Sequence, residues 1–181
     1  MYAAPLSFFS AAFLSFKLLD KFERKVVIDH HRRGVDFIND TVLLFHETYV
    51  SSTCEMVTEL VQYIEDDVRI NKLTAEGLLA GITLDTKNFA FKTGVRTFEA
   101  ASYLKKSGAD TVEVKKLFNS DIKDFIIKAE IIQNAKVINN NICLAYTKTE
   151  ANNINIVIAQ AADELLNVKE VEASFVLAQK D

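Results

Sequence analysis

Cysteine occurs only twice, at Cys54 and Cys143, and neither stands in a C-x-x-C pair. No disulfide framework can be built from them, so both read as buried apolar thiols in a reducing compartment. Glycine occurs five times, the last at Gly108, and no low-complexity tract or internal repeat interrupts the chain. Basic charge is not in excess: 21 Lys and Arg face 25 Asp and Glu, for a net charge of -4. A phosphate backbone is held by surplus cations, so this balance argues against duplex nucleic acid as a partner, though not against a small phosphorylated ligand. No apolar run reaches the ~20 residues that a membrane span needs. The longest uncharged stretch, residues 2–16, is rich in Phe, Ala and Leu but lacks the basic start and cleavage site of a signal peptide. It reads as an amphipathic lead-in, with a membrane-associated stub as the alternative. What remains is ordinary for a globular protein: 181 residues, 49% apolar and 25% charged, enough for one large or two small domains.

The apolar run Lys25-Val26-Val27-Ile28 predicts a buried strand, and Val42-Leu43-Leu44-Phe45 a second. Ser51-Ser52-Thr53-Cys54-Glu55 opens a helix, with Ser52 and Glu55 at capping-box spacing and Val57, Leu60, Val61 and Ile64 as the expected buried face. Thr74 is the expected cap of a helix running through Leu78, Leu79 and Ile82 to Asp85. Another helix covers 97–106 and stops at Gly108. Beyond it the pattern changes. Two helical stretches (111–118 and 121–135) precede a hairpin turning at Asn139-Asn140-Asn141. A strand over 154–158, a helix over 159–167 and a last strand over 173–177 close the chain.

Three histidines are present, and two of them, His30 and His31, follow Asp29 at the end of the first strand. In open α/β sheets ligands bind outside the carboxyl ends of the strands. Imidazole nitrogen together with carboxylate oxygen suits a borderline divalent metal such as manganese. The tripeptide alone leaves chance and structural readings open. His46 lies in no motif and reads as a surface or internally satisfied histidine. Glu65-Asp66-Asp67 reads as a solvated helix end, and Asp85 taken alone as a helix-end aspartate.

The ordered strings VVIDHHRR, YVSSTCEMVTEL, LLAGITLDTKNF and TGVRTFEAASYL strongly resemble the DHH/DHHA1 phosphoesterase family. The arginine pair after D-H-H, and TGVRTFEAASYL, look most like its cyclic-di-AMP phosphodiesterases of the GdpP type. The resemblance covers residues 25–181. It implies an α/β fold, with a partial DHH domain (a parallel sheet with helices, residues 25–107), a linker helix (108–120) and a partial DHHA1 α+β domain (121–181), after an unassigned apolar lead-in (1–24). It implies hydrolysis of cyclic-di-AMP to pApA by water activated between two manganese ions. By the same resemblance His30 and Asp85 are metal ligands. His31 contacts phosphate or moves a proton, and Asp29 orients a ring. Arg32, Arg33, Arg96, Ser51, Ser52 and Thr53 contact substrate, although solvated arginines and simple helix capping would also account for them. Cyclic dinucleotide is the implied partner, and full-length relatives are membrane-anchored with their catalytic part on the cytoplasmic side.

The departures are as specific as the matches. The family's first two motifs supply further His and Asp ligands upstream of D-H-H, yet residues 1–19 hold no His, Asp, Glu or Cys. The glycine-rich string that closes the DHHA1 domain has no counterpart after Gly108. The expectation is therefore a chain truncated at both ends, holding at most one ion, weakly active or inactive alone, and prone to pair with a second copy. A gene fragment, one piece of a split protein and a degraded homologue all remain open. So do relatives that cleave short oligonucleotides or phosphoadenosine phosphate, and a non-catalytic module binding a nucleotide or a protein.

Overall fold

A computed structural model describes residues 21–179 except 35, 36, 39, 65–68 and 140. The lead-in over 2–16 and the acidic run Glu65-Asp66-Asp67 lie outside the described residues. The chain divides into two compact units between Leu117 and Phe118.

In the first unit the β-branched run after Lys25 forms β1 (Val26–Asp29), which pairs in parallel with β2 (Leu43–His46). The register sets Asp29 opposite His46, so both strands end at the same edge. Four helices follow: α1 (Thr53–Tyr63), α2 (Lys72–Asp85), α3 (Val95–Lys106) and the short α4 (Thr111–Lys116). Ala75, Leu79 and Ile82 recur at helical spacing along α2 and meet Ala100 and Leu104 of α3, with Ala109 and Val114 completing the cluster. Helix α4 packs on α2. Gly108 ends α3 with a φ of +101°, a conformation that costs glycine nothing. Its N–H donates to the Lys105 carbonyl, and that of Ala109 to the Leu104 carbonyl.

The second unit lays α5 (Ile122–Gln133) and α6 (Ile154–Leu166) on a three-stranded sheet of order β3-β4-β5. β3 (Lys136–Ile138) and β4 (Ile142–Thr147) are antiparallel, as a hairpin demands, and β5 (Ala173–Ala178) runs parallel to β4. Ile131, Cys143, Ala145, Val157, Ala161 and Leu165 form its core.

Three expectations are corrected. The strand over 154–158 does not exist; its residues are the first turns of α6. Ile154-Asn155-Ile156-Val157-Ile158 has the branched side chains and alternation of a strand. Yet Val157, Ala161 and Leu165, four apart, are what the core buries, and burial outweighs β propensity. Helix α2 is capped by Asn71 rather than Thr74, whose N–H donates to Asn71 Oδ1 at 2.8 Å. The buried face of α1 is Glu55, Met56 and Thr58, while Ile64 is exposed. Among the described residues no helix is long and apolar enough to cross a membrane. Both cysteines are free thiols, Cys143 buried and Cys54 partly so.

Candidate metal and phosphate site

Parallel pairing brings the ends of β1 and β2 together, and α2 delivers its last residue to the same place. His30 Nε2 lies 3.6 Å from Asp85 Oδ2. Two donors bonded to one ion at about 2.1 Å stand roughly 3.0–3.6 Å apart, so this is single-ion spacing. Asp85 occupies the C-terminal turn of α2, where the helix dipole disfavours a carboxylate by ~0.3–1 kcal/mol, so the placement serves something other than the helix. Burial, then the charge of His31, holds His30 below the ordinary histidine value, while Asp85 opposes them. A neutral imidazole with an available lone pair is the form that binds metal. His30 Nδ1 is buried without a hydrogen-bond partner. One imidazole nitrogen and one carboxylate oxygen fit a borderline divalent ion. Among the described residues no three His, Cys, Asp or Glu side chains converge to complete its shell.

The His31 ring lies against that of His30, centroids 4.4 Å apart and tilted by 54°, and is three-quarters exposed. Its Nδ1–H donates to Asp29 Oδ1 at 2.6 Å, and its backbone N–H donates to the same oxygen at 3.1 Å. Burial pulls the Asp29 carboxyl upward, but these two bonds outweigh it and hold the carboxyl below the ordinary aspartate value. With Nδ1 engaged, Nε2 of His31 is the nitrogen left to face solvent. Such a carboxylate fixes both ring orientation and tautomer.

His46, given no role by its sequence context, tethers this loop: its Nε2–H donates to the His31 carbonyl at 2.6 Å. A carbonyl only accepts, so the proton sits on Nε2. Phe37 packs edge-on to the His46 ring, and the Arg33 guanidinium lies 4.5 Å above Phe37. Arg32 and Arg33 are both exposed beside the D-H-H loop.

Ser51 and Ser52 are buried at the start of α1. Ser52 Oγ accepts the Glu55 N–H at 3.0 Å, half of the expected capping box. The Glu55 carboxylate instead accepts from the Ser51 hydroxyl. Thr53 is the first residue of the helix. The Cys54 thiol is pushed up by burial and by the Asp85 carboxylate, and stays protonated.

Arg96 is already engaged. Its Nε and Nη2 donate to Glu59 at 2.8 and 2.7 Å, and its Nη1 and Nη2 to Glu47 at 2.6 and 3.2 Å. These bonds hold the guanidinium further toward its charged form and the Glu47 carboxyl below its ordinary value. The partners lie 37 and 49 positions away, so only the fold could reveal them.

Past Asp85 the backbone takes an unusual course. Lys87, Asn88 and Phe89 have φ of 47°, 58° and 63°, three consecutive non-glycine residues in the left-handed region. Each such residue costs about 1–3 kcal/mol unless its surroundings impose it. Here buried Thr86 imposes it: its hydroxyl donates to the Ile82 carbonyl at 2.7 Å and accepts the Phe89 N–H at 2.9 Å.

Residues 10–82 match the DHH family, N-terminal domain. The chain is 47% identical over 167 residues to a protein of Bacillus subtilis named cyclic-di-AMP phosphodiesterase GdpP, covering 91% of this chain and 25% of that one. It is 40% identical over 161 residues to the cyclic-di-AMP phosphodiesterase PdeA of Listeria monocytogenes, covering 89% and 24%. The chain thus spans about a quarter of the length of these relatives. A solved structure of an exopolyphosphatase-related protein from Bacteroides fragilis superposes with a TM-score of 0.74 at 22% identity, over 87% of this chain and 48% of that one, and shares the fold. A parallel strand pair that ends on Asp29, with His30 and His31 directly after it, agrees with the family match, and residues 10–82 thus carry a DHH-family N-terminal domain.

Proposed function

We propose that this chain carries part of the active site of a metal-dependent phosphodiesterase that opens cyclic-di-AMP to pApA, its second unit being a partial DHHA1 domain. The observation that carries the reading is the approach of His30 Nε2 to within 3.6 Å of Asp85 Oδ2 from two separate elements. His30 and Asp85 would hold a divalent ion, manganese by the chemistry of the pair. Such an ion, when bound, acidifies water and withdraws charge from a phosphoryl oxygen. Asp29 keeps His31 in one tautomer, so His31 Nε2 is available to accept a proton from water or return one to the departing oxygen. Arg32 and Arg33, exposed beside the loop, supply guanidinium N–H groups for phosphate oxygens. Ser51, Ser52 and Thr53 serve substrate by building the α1 start rather than by touching it. Arg96 reaches phosphate only by exchanging Glu47 or Glu59.

That only two ligands meet among the described residues favours, as a second reading, a module that binds a nucleotide without cleaving it. Manganese titrated into the purified 181-residue chain, with the free-ion magnetic-resonance signal followed, separates the readings. Binding abolished by His30→Ala and by Asp85→Ala but kept by Arg33→Ala supports the metal site. Formation of pApA from cyclic-di-AMP, slow and lost in His31→Ala, supports the enzyme. Manganese bound without any pApA formed, by this chain and also by a full-length protein that carries it, supports the module. No manganese binding at all removes the site.

A further inference from the structure

An open cavity of about 610 Å³ in the first unit, lined by the segments that follow His46 and Asp85, is in the range of small-molecule pockets. Tyr49, Phe89 and Phe98 line it together with Lys92, Thr93 and Gly94. The Phe89 and Phe98 rings are stacked, 14° from parallel with centroids 5.7 Å apart. Phe98 is 56% exposed and Tyr49 93% exposed. The outer face of a parallel aromatic pair is thus open, and a third flat ring laid on it would continue the stack. Two features show that the pair is built rather than incidental. Phe89 is held by a run of left-handed backbone imposed by the buried Thr86 hydroxyl. Lys92 also takes a positive φ, of 47°. Lys92 lines the cavity and stands seven positions after Asp85 in the chain, 92 − 85, just past the left-handed run that begins at Lys87.

We propose that Phe89 and Phe98 form a stacking platform for a purine base, with Lys92 taking the phosphate that leads from that base toward His30 and Asp85. A flat π-system, a single adjacent cation and a volume of this size suit a purine nucleotide. The platform deepens the phosphodiesterase reading and rests on it only for the direction in which the phosphate points.

The test is metal-free. AMP, adenosine and ribose 5-phosphate are titrated into the 181-residue chain in the presence of EDTA, and the aromatic ring-proton shifts are followed. AMP is expected to move the Phe89 and Phe98 resonances. Phe98→Leu keeps the apolar bulk but removes the ring. It is expected to weaken AMP about 5- to 150-fold, the factor expected for one lost base–aromatic stack, while leaving ribose 5-phosphate unchanged. Lys92→Ala should weaken AMP and ribose 5-phosphate alike and leave adenosine unaffected. An unchanged melting temperature in both variants shows that the fold is intact. The proposal is overturned if AMP fails to bind the native chain. Equal losses of AMP and ribose 5-phosphate in Phe98→Leu overturn it as well. Because this test is metal-free, AMP binding at the platform upholds the proposal whether or not the chain forms pApA, and pApA formed by a chain that does not bind AMP overturns the platform while leaving the enzyme reading in place.

Discussion

The two units bury different things. The interior of the first holds Ser51, Ser52, Glu55, Thr58, Thr86 and Thr97 alongside its aliphatic cluster, whereas in the second Thr147 is the one buried polar residue among those described. Among the described residues the first also carries four non-glycine residues with positive φ within six positions, while the second has two, Asn139 and Glu170, far apart in the chain. Polar groups taken from water must find partners, and left-handed backbone must be imposed. A unit that spends stability this way does so around a site; one that does not is a scaffold. The contrast marks the first unit as the one that carries the candidate site, without reference to any relative.

The sharpest way to break this contrast is to open a cavity in each core. Leu104→Ala and Ile131→Ala are each expected to destabilise by about 2–5 kcal/mol. Amide exchange should show the first loosening α1–α3 and the second loosening α5, α6 and the β4 strand. If either substitution loosens both units equally, the division at Leu117 is not energetic.

Next in size is a substitution special to the first unit. A Cβ on Gly81 would stand 2.2 Å from Cys54 Sγ and 3.1 Å from Cys54 Cβ, so in Gly81→Ala the thiol must turn to another rotamer and α1 must give way slightly from α2. Overpacking of this kind costs ~1–3 kcal/mol. Adding Cys54→Ala to the same chain should return most of the loss, a coupling that a double-mutant cycle measures directly. The buried carboxylate comes third. Glu55→Ala deprives the Ser51 hydroxyl of its acceptor and is expected to cost about 1–3 kcal/mol, read from urea unfolding. A neutral result would mean that the polar interior of this unit is incidental.

The smallest effect is that of pH. Arg96 holds Glu47 below the ordinary glutamate value of 4.5. The pair's contribution is therefore fully present above 4.5 and is lost as pH falls through the lower folded value. Glu47 is about a third exposed, so solvent screening keeps the contribution small. Melting temperatures between pH 6 and pH 3 should fall slightly more for the native chain than for Arg96→Met. Parallel curves would remove the ion pair from the account of stability.

Much of this was legible from the residues. The run Val26-Val27-Ile28 announced a strand because branched side chains pack well on a pleated surface, but its expected burial is corrected: Val26 is 57% exposed, Val27 and Ile28 are only half-buried, and Val42, Leu43 and Leu44 of the second apolar run are exposed too. The strand end then fixed where Asp29, His30 and His31 had to emerge. Ser52 announced a helix start through its own hydroxyl, a local device with a local signature. The failures were equally physical. Residues 154–158 read as a strand because propensity is local, whereas the core that claimed Val157 is not. The Arg96 clamp and the His46 tether join positions far apart in the chain, and no periodicity encodes such a meeting. The left-handed run at Lys87-Asn88-Phe89 carries no glycine to betray it; only Asn88 tolerates that conformation readily.

The bond from His46 to the His31 carbonyl has a consequence for assembly. Successive side chains of a strand point to opposite faces, so a one-residue slip of β2 against β1 would place Phe45 or Glu47 opposite Asp29 and turn His46 away. The loop after β1 would lose its anchor, and His30 would no longer be carried to Asp85. Strand pairing is thereby proof-read where it is used: in a wrongly threaded sheet His30 and Asp85 would not meet, and the candidate site would not form.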